Sequence, residues 1–170
     1  GQGTFLTKDA YLRIANYDLI GTIANCSSIS DLMETRIIIE SQLAGLAAKR
    51  ATDEDIQLIS SALEELKADL LAQINSGTRT NPTRSGMKFH TAIINAAKNK
   101  LLSEFLYSIR GELEAQRSQL SLYQSNIIEM IDDHVRIYQA IVNNDSVGAA
   151  KAMMNHLKHT YKTINENKDV

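Results

Sequence analysis

Apolar residues recur every three to four positions along most of this chain, a period that predicts helices rather than strands. In SISDLMETRIIIESQLAGLAAKR, residues 28–50, the positions Leu32, Met33, Ile37, Leu43, Ala44 and Ala47 keep that spacing, with Ser30 as the expected N-cap. Thr52-Asp53-Glu54-Asp55 reads as a capping box with acids in the first turn. It opens a helix to about Gln73 whose stripe is Ile56, Ile59, Leu63, Leu66 and Leu70. NSGTRTNPT, residues 75–83, is a break holding the only proline, with Asn81 as N-cap and Pro82 as first helical residue of the next helix. That helix passes through His90 to about Lys98, and Asn99 punctuates it. A long amphipathic helix over 100–120 follows, carrying Leu101, Leu102, Phe105, Leu106, Ile109 and Leu113. Residues 124–143 give another, stopped at Asn143-Asn144, and Asp145 or Ser146 caps the last one.

Ahead of these helices the pattern changes. GQGTFL reads as a turn running into a short strand, and residues 8–24 place Tyr11, Ile14, Leu19 and Ile23 on one side of a helix. Six helices in the main domain, joined by short turns, predict an all-α antiparallel helical bundle, of seven helices if the first is counted.

Composition narrows the function. The net charge is -2, from 18 Lys plus Arg against 20 Asp plus Glu, which excludes a nucleic-acid surface within these residues because phosphate binding needs a positive excess. A single cysteine, Cys26, excludes an internal disulfide and fits a reducing, cytoplasmic setting. No apolar run approaches the roughly 20 residues of a membrane span.

The candidate chemistry lies in the histidines. His90 shares a helix face with Met87, Ile94 and Ala97; His134 with Met130, Ile137 and Ile141; His156 with Ala149, Ala152 and Met153. All three point toward the bundle interior, whereas His159 drifts toward the polar edge. Each alone reads as a core histidine. Three together read equally as imidazoles converging on a divalent metal.

Several segments, in order, resemble one family. DLMETRIIIESQLAGLAAKRATDEDIQLI, FHTAIINAAKNKLL and HVRIYQAIVNNDSVGAAKAMMNHL resemble the C-terminal effector-binding (FCD) domain of GntR-type bacterial transcription regulators, the FadR-like subfamily. The resemblance runs from Ser30 to Leu157. GQGTFL resembles the last wing strand of that family's winged helix-turn-helix. The implied domains are a wing remnant over 1–7, a linker helix over 8–27 and the FCD domain over 28–170, with the DNA-binding part before Gly1.

Many members of that family hold a divalent metal through one Asp and three His. The resemblance carries the histidines onto His90, His134 and His156. The Asp position, four residues before the first His, is Gly86. Three neutral imidazoles suit Zn²⁺, with Ni²⁺ second, and leave coordination positions open. A cation in an apolar cavity without that Asp calls for an anion, so the expected effector is a small organic acid. Arg36, which the resemblance turns toward the cavity, is suited to its carboxylate; the competing role is a salt bridge to Glu40. Tyr107 and Arg110 are weaker candidates for the pocket wall, with an ordinary place on an amphipathic surface as the alternative. The implied partners are this effector, a second copy of the chain in a homodimer, and operator DNA through the winged helix.

Two other readings stand beside this one. The first keeps the fold and drops the metal, since some relatives take an acyl-CoA in a pocket with no metal. The second is a metal-dependent hydrolase, which needs a general acid or base beside the metal. The helix pattern places no carboxylate next to His90 or His156, and Asp133 would point roughly 100° away from His134. The expectation is therefore a binding domain and not an enzyme.

Overall fold

The computed structural model describes residues 28–76, 83–109 and 127–166. Among them are six helices and no strand: α1 (Ile29–Arg50), α2 (Asp53–Ser76), α3 (Thr83–Ala96), α4 (Lys100–Ser108), α5 (Ile127–Val142) and α6 (Ser146–Glu166). The all-α bundle expected from the period is the fold observed. The strand stub, the linker helix and the Asn81-Pro82 start lie outside the described residues.

Side-chain chemistry at the helix ends explains where they begin. Ser28, not Ser30, caps α1: its Oγ accepts from the Asp31 N–H at 3.1 Å, and Asp31 Oδ2 accepts from the Ser28 N–H at 3.0 Å. Ser30 stands inside the first turn, its hydroxyl 2.7 Å from that of Tyr161 on α6. The box at α2 forms as expected, with Asp55 N–H donating to Thr52 Oγ1 and Thr52 N–H to Asp55 Oδ2 at 3.2 and 2.9 Å. Asn99 caps α4 by accepting from the Leu102 N–H. The choice between Asp145 and Ser146 falls to Asp145, whose Oδ1 accepts from the Gly148 N–H at 2.8 Å. Asn144 just before it has φ 55°, a left-handed conformation that Asn tolerates better than most residues.

The helix expected over 100–120 is shorter. α4 ends at Ser108, with Ile109 as its C-cap, and the Ser108 Oγ donates to the Phe105 carbonyl at 2.7 Å. Its expected stripe also divides: Leu106 and Ile109 are buried, but Leu101 is 80% exposed and Phe105 38%.

α1 runs through the centre of the packing. It packs on α3, α5 and most extensively on α6, while α2 covers α3 and α5. The close approach of α1 to α6 depends on Gly45, where a Cβ would lie 2.9 Å from the Ser146 carbonyl oxygen. Leu43, Ala44, Ala47, Ile59, Leu70, Phe89, Ile137 and Leu157 are fully buried between these layers. At about 25 cal/mol per Å² of apolar surface, such side chains supply most of the stabilisation. No helix among the described residues is long and apolar enough to cross a membrane.

Candidate metal centre

Helices α3, α5 and α6 each turn one histidine into the space beside α1. His90, His134 and His156 are 6%, 3% and 5% exposed. Their ring centroids stand 4.2 Å apart for His134 and His156, 5.2 Å for His90 and His156, and 5.9 Å for His90 and His134. One nitrogen from each ring lies within 4.8 Å of the others. Three nitrogens about 2.0–2.1 Å from a tetrahedral zinc stand roughly 3.3 Å apart, so small ring movements would bring them to that geometry. Phe89, fully buried, walls the group with its ring 5.2 Å from that of His134.

The partners of these rings fix which nitrogen carries hydrogen. His134 Nδ1 lies 2.7 Å from the Met130 carbonyl oxygen. A carbonyl only accepts, so Nδ1 donates. His90 Nδ1 lies 2.5 Å from Glu40 Oε2, and the same argument makes it the donor to an ionised carboxylate. For both rings the nitrogen with a coordinating lone pair is then Nε2.

Glu40 is the residue that the sequence pattern did not bring to this site. It is 4% exposed, on α1, and Arg36 Nε donates to its Oε1 at 2.7 Å. Burial is the largest single effect on its carboxyl and opposes ionisation. Arg36 and His90 together outweigh it and hold Glu40 well below the usual carboxylate range. The expectation that no carboxylate stands beside His90 is therefore corrected. Its acid comes from a neighbouring helix, which a reading along α3 alone does not reach. The signal was in α1 itself, since Met33, Arg36, Glu40, Ala44 and Ala47 fall on one stripe, and charges on an apolar stripe are buried with partners.

Arg36 forms the salt bridge named as its competing role. It is 1% exposed, with Nη1 3.7 Å from Met33 Sδ, and its Nη2 is buried without a hydrogen-bond partner. A buried guanidinium N–H with nothing to donate to costs about 1–3 kcal/mol or more.

Asp133 is the second correction. It is 4% exposed; its Oδ2 accepts from His159 Nδ1 at 2.8 Å and lies 3.9 Å from His156 Nδ1. The angle of roughly 100° from His134 holds, but the buried arc of α5 is wide enough to contain both residues, because α6 packs on that flank. His159, whose side chain is half exposed, stays at the edge as expected.

Gly86 lies in α3 with room beside it: an added Cβ would meet only Leu66 Cδ1, at 4.0 Å. Tyr107, the weaker candidate for the pocket wall, donates to Asn95 Oδ1, and Arg110 lies outside the described residues.

A family model described as FCD domain matches residues 31–159. The chain is 25% identical over 162 residues to the HTH-type transcriptional regulator LutR of Bacillus subtilis (strain 168), covering 92% of this chain and 71% of that protein. It is 28% identical over 152 residues to the Uxu operon transcriptional regulator of Escherichia coli (strain K12), covering 85% of this chain and 56% of the relative. Among solved structures, a Streptococcus agalactiae GntR superposes with a TM-score of 0.58 at 24% identity, over 92% of this chain and 66% of that one, which supports the fold.

Proposed function

Because the chain belongs to the FCD domain family of GntR-type regulators, we propose that it is the effector-binding and dimerisation part of a transcription regulator, with a divalent metal held by His90, His134 and His156. The observation that carries this reading is the convergence of three buried imidazoles, two of them with Nδ1 on an oxygen acceptor, so that Nε2 is the nitrogen that would coordinate. The donor set fits Zn²⁺ best, and Ni²⁺ next.

The effector is a small organic acid. Glu40 and Asp133 bring two negative charges to the surroundings and Arg36 one positive, so a dication leaves one positive charge. A monoanionic carboxylate would balance it, and Arg36, whose Nη2 lacks an acceptor, is suited to hold its oxygens. Binding there would bias the packing of α1 against α3, α5 and α6 and so the geometry of a winged helix joined ahead of α1. Metal analysis of protein purified without chelator, followed by calorimetric titration of the loaded protein with small carboxylates and neutral analogues, tests this. Equal affinity for the neutral analogues would sink the acid.

Gly86 favours one other reading. With no Asp at that position, a metal-free pocket for an acyl-CoA or another metabolite is the alternative. Metal content far below one ion per chain would decide for that pocket. Catalysis is disfavoured by the same geometry: Glu40 and Asp133 hold histidine ring nitrogens and so act as orienting groups rather than as a general base.

A further inference from the structure

We infer that Glu40 is the positioning residue of this metal centre: from α1 it fixes the tautomer and ring orientation of His90 on α3, and it supplies the negative charge that the three neutral imidazoles lack. The inference rests on the metal reading above. Glu40 Oε2 accepts from His90 Nδ1 at 2.5 Å with both side chains buried, 5% and 7% exposed. The carboxylate cannot swing away, because Arg36 Nε holds its other oxygen at 2.7 Å within the same helix. His90 is thus presented with Nε2 unprotonated, the form that binds a metal. A carboxylate on the far nitrogen also raises the basicity of the coordinating one.

Buried charges of this kind need a reason. An Arg–Glu pair in an apolar core is often no more stable than apolar side chains of the same volume, and breaking it from one side is costly. The pair here ends on a histidine of the three-His group, and Arg36 retains an unmatched Nη2. A purely structural pair would be expected to satisfy its own donors. The third contact, to His90, gives Glu40 a role that packing alone does not require.

Two measurements test it. Long-range ¹⁵N–¹H correlation spectra of the metal-free, unsubstituted protein should show His90 as the Nδ1–H tautomer; an Nε2–H tautomer would overturn the inference without any variant. Competition for Zn²⁺ against a chromophoric chelator should show Glu40→Gln binding about 10–100-fold more weakly than the unsubstituted protein. Far-ultraviolet circular dichroism checks that the variant is folded, and Arg36→Met/Glu40→Gln removes both charges together should the single change unfold it. Zn²⁺ affinity essentially equal to that of the unsubstituted protein in the folded Glu40 variant, with affinity lost in His90→Ala, overturns Glu40 and leaves the metal reading standing. No Zn²⁺ binding by the unsubstituted protein overturns both.

Discussion

Asp133 on α5 accepts a hydrogen bond from the Nδ1 of His159 on α6, 2.8 Å away, although only the carboxylate of the pair is buried. The two residues are therefore unequal. Removing Asp133 strips His159 of its acceptor and takes a charge from beside His156, 3.9 Å away. Removing His159 leaves Asp133 buried, with Arg136 Nη1 at 3.8 Å as a remaining cation. Asp133→Ala is expected to weaken Zn²⁺ binding severalfold or more through His156, and His159→Ala to change it little. Chelator competition on both variants checks this; equal effects would place His159 among the ligands.

Arg36 and Glu40 make a sharper pair for stability. Arg36→Met leaves a buried carboxylate with one partner, and Glu40→Gln leaves a buried guanidinium with fewer acceptors still. Each single change is expected to cost about 3–5 kcal/mol, and the double change much less than their sum, because no charge is then stranded. Urea unfolding of the four proteins in a double-mutant cycle gives the coupling. A coupling near zero would mean that the pair is solvated and does not act as a unit.

Gly86 gives a gain-of-function test. The fold leaves space there, since a Cβ added at Gly86 would stand 4.0 Å from Leu66 Cδ1, and glycine inside a helix costs roughly 1 kcal/mol relative to alanine. Gly86→Asp is expected to fold and to bind Zn²⁺ about tenfold more tightly or better, the scale of one added ligand-shell interaction. It should bind the organic acid more weakly, because the new carboxylate takes the charge and space the acid would use. Tighter binding of both would contradict the charge argument.

The helices and the inward turn of three histidines are legible in the sequence because both follow from period alone: His134, for instance, stands four residues after Met130 and three before Ile137. What surrounds the rings is not, since it depends on helices meeting across the core. Glu40 stands fifty positions before His90, and no spacing rule joins them. Asp133 escapes a reading that takes the angle to one neighbour as decisive, because the width of the buried arc depends on what packs against it. The early end of α4 is not legible either, because the apolar period runs on past Ser108 to Ile109 and Leu113 and records no stop.

Acid should loosen the start of α2 and the α1–α3 contact together. Lys98 Nζ donates to Asp55 Oδ1 at 2.7 Å, and the Thr52 N–H to Oδ2 at 2.9 Å. These bonds hold the Asp55 carboxyl below its ordinary value of 3.8, against a smaller opposing effect of burial. Glu40 is likewise held low, with burial opposing and Arg36 and His90 prevailing. In both cases the folded protein releases the proton more readily than the unfolded chain. Their contribution to stability is complete above the unfolded values, 3.8 for Asp55 and 4.5 for Glu40, and is lost as pH falls below them. Urea midpoints measured with chelator present should change little between about pH 6 and 5 from these groups, then fall below about pH 4.5. Asp55→Asn should start from a lower midpoint, having lost the ion pair with Lys98, and should fall less steeply below about pH 4. An acid limb of unchanged slope in that variant would show that the Lys98 and Thr52 bonds do not set the Asp55 titration.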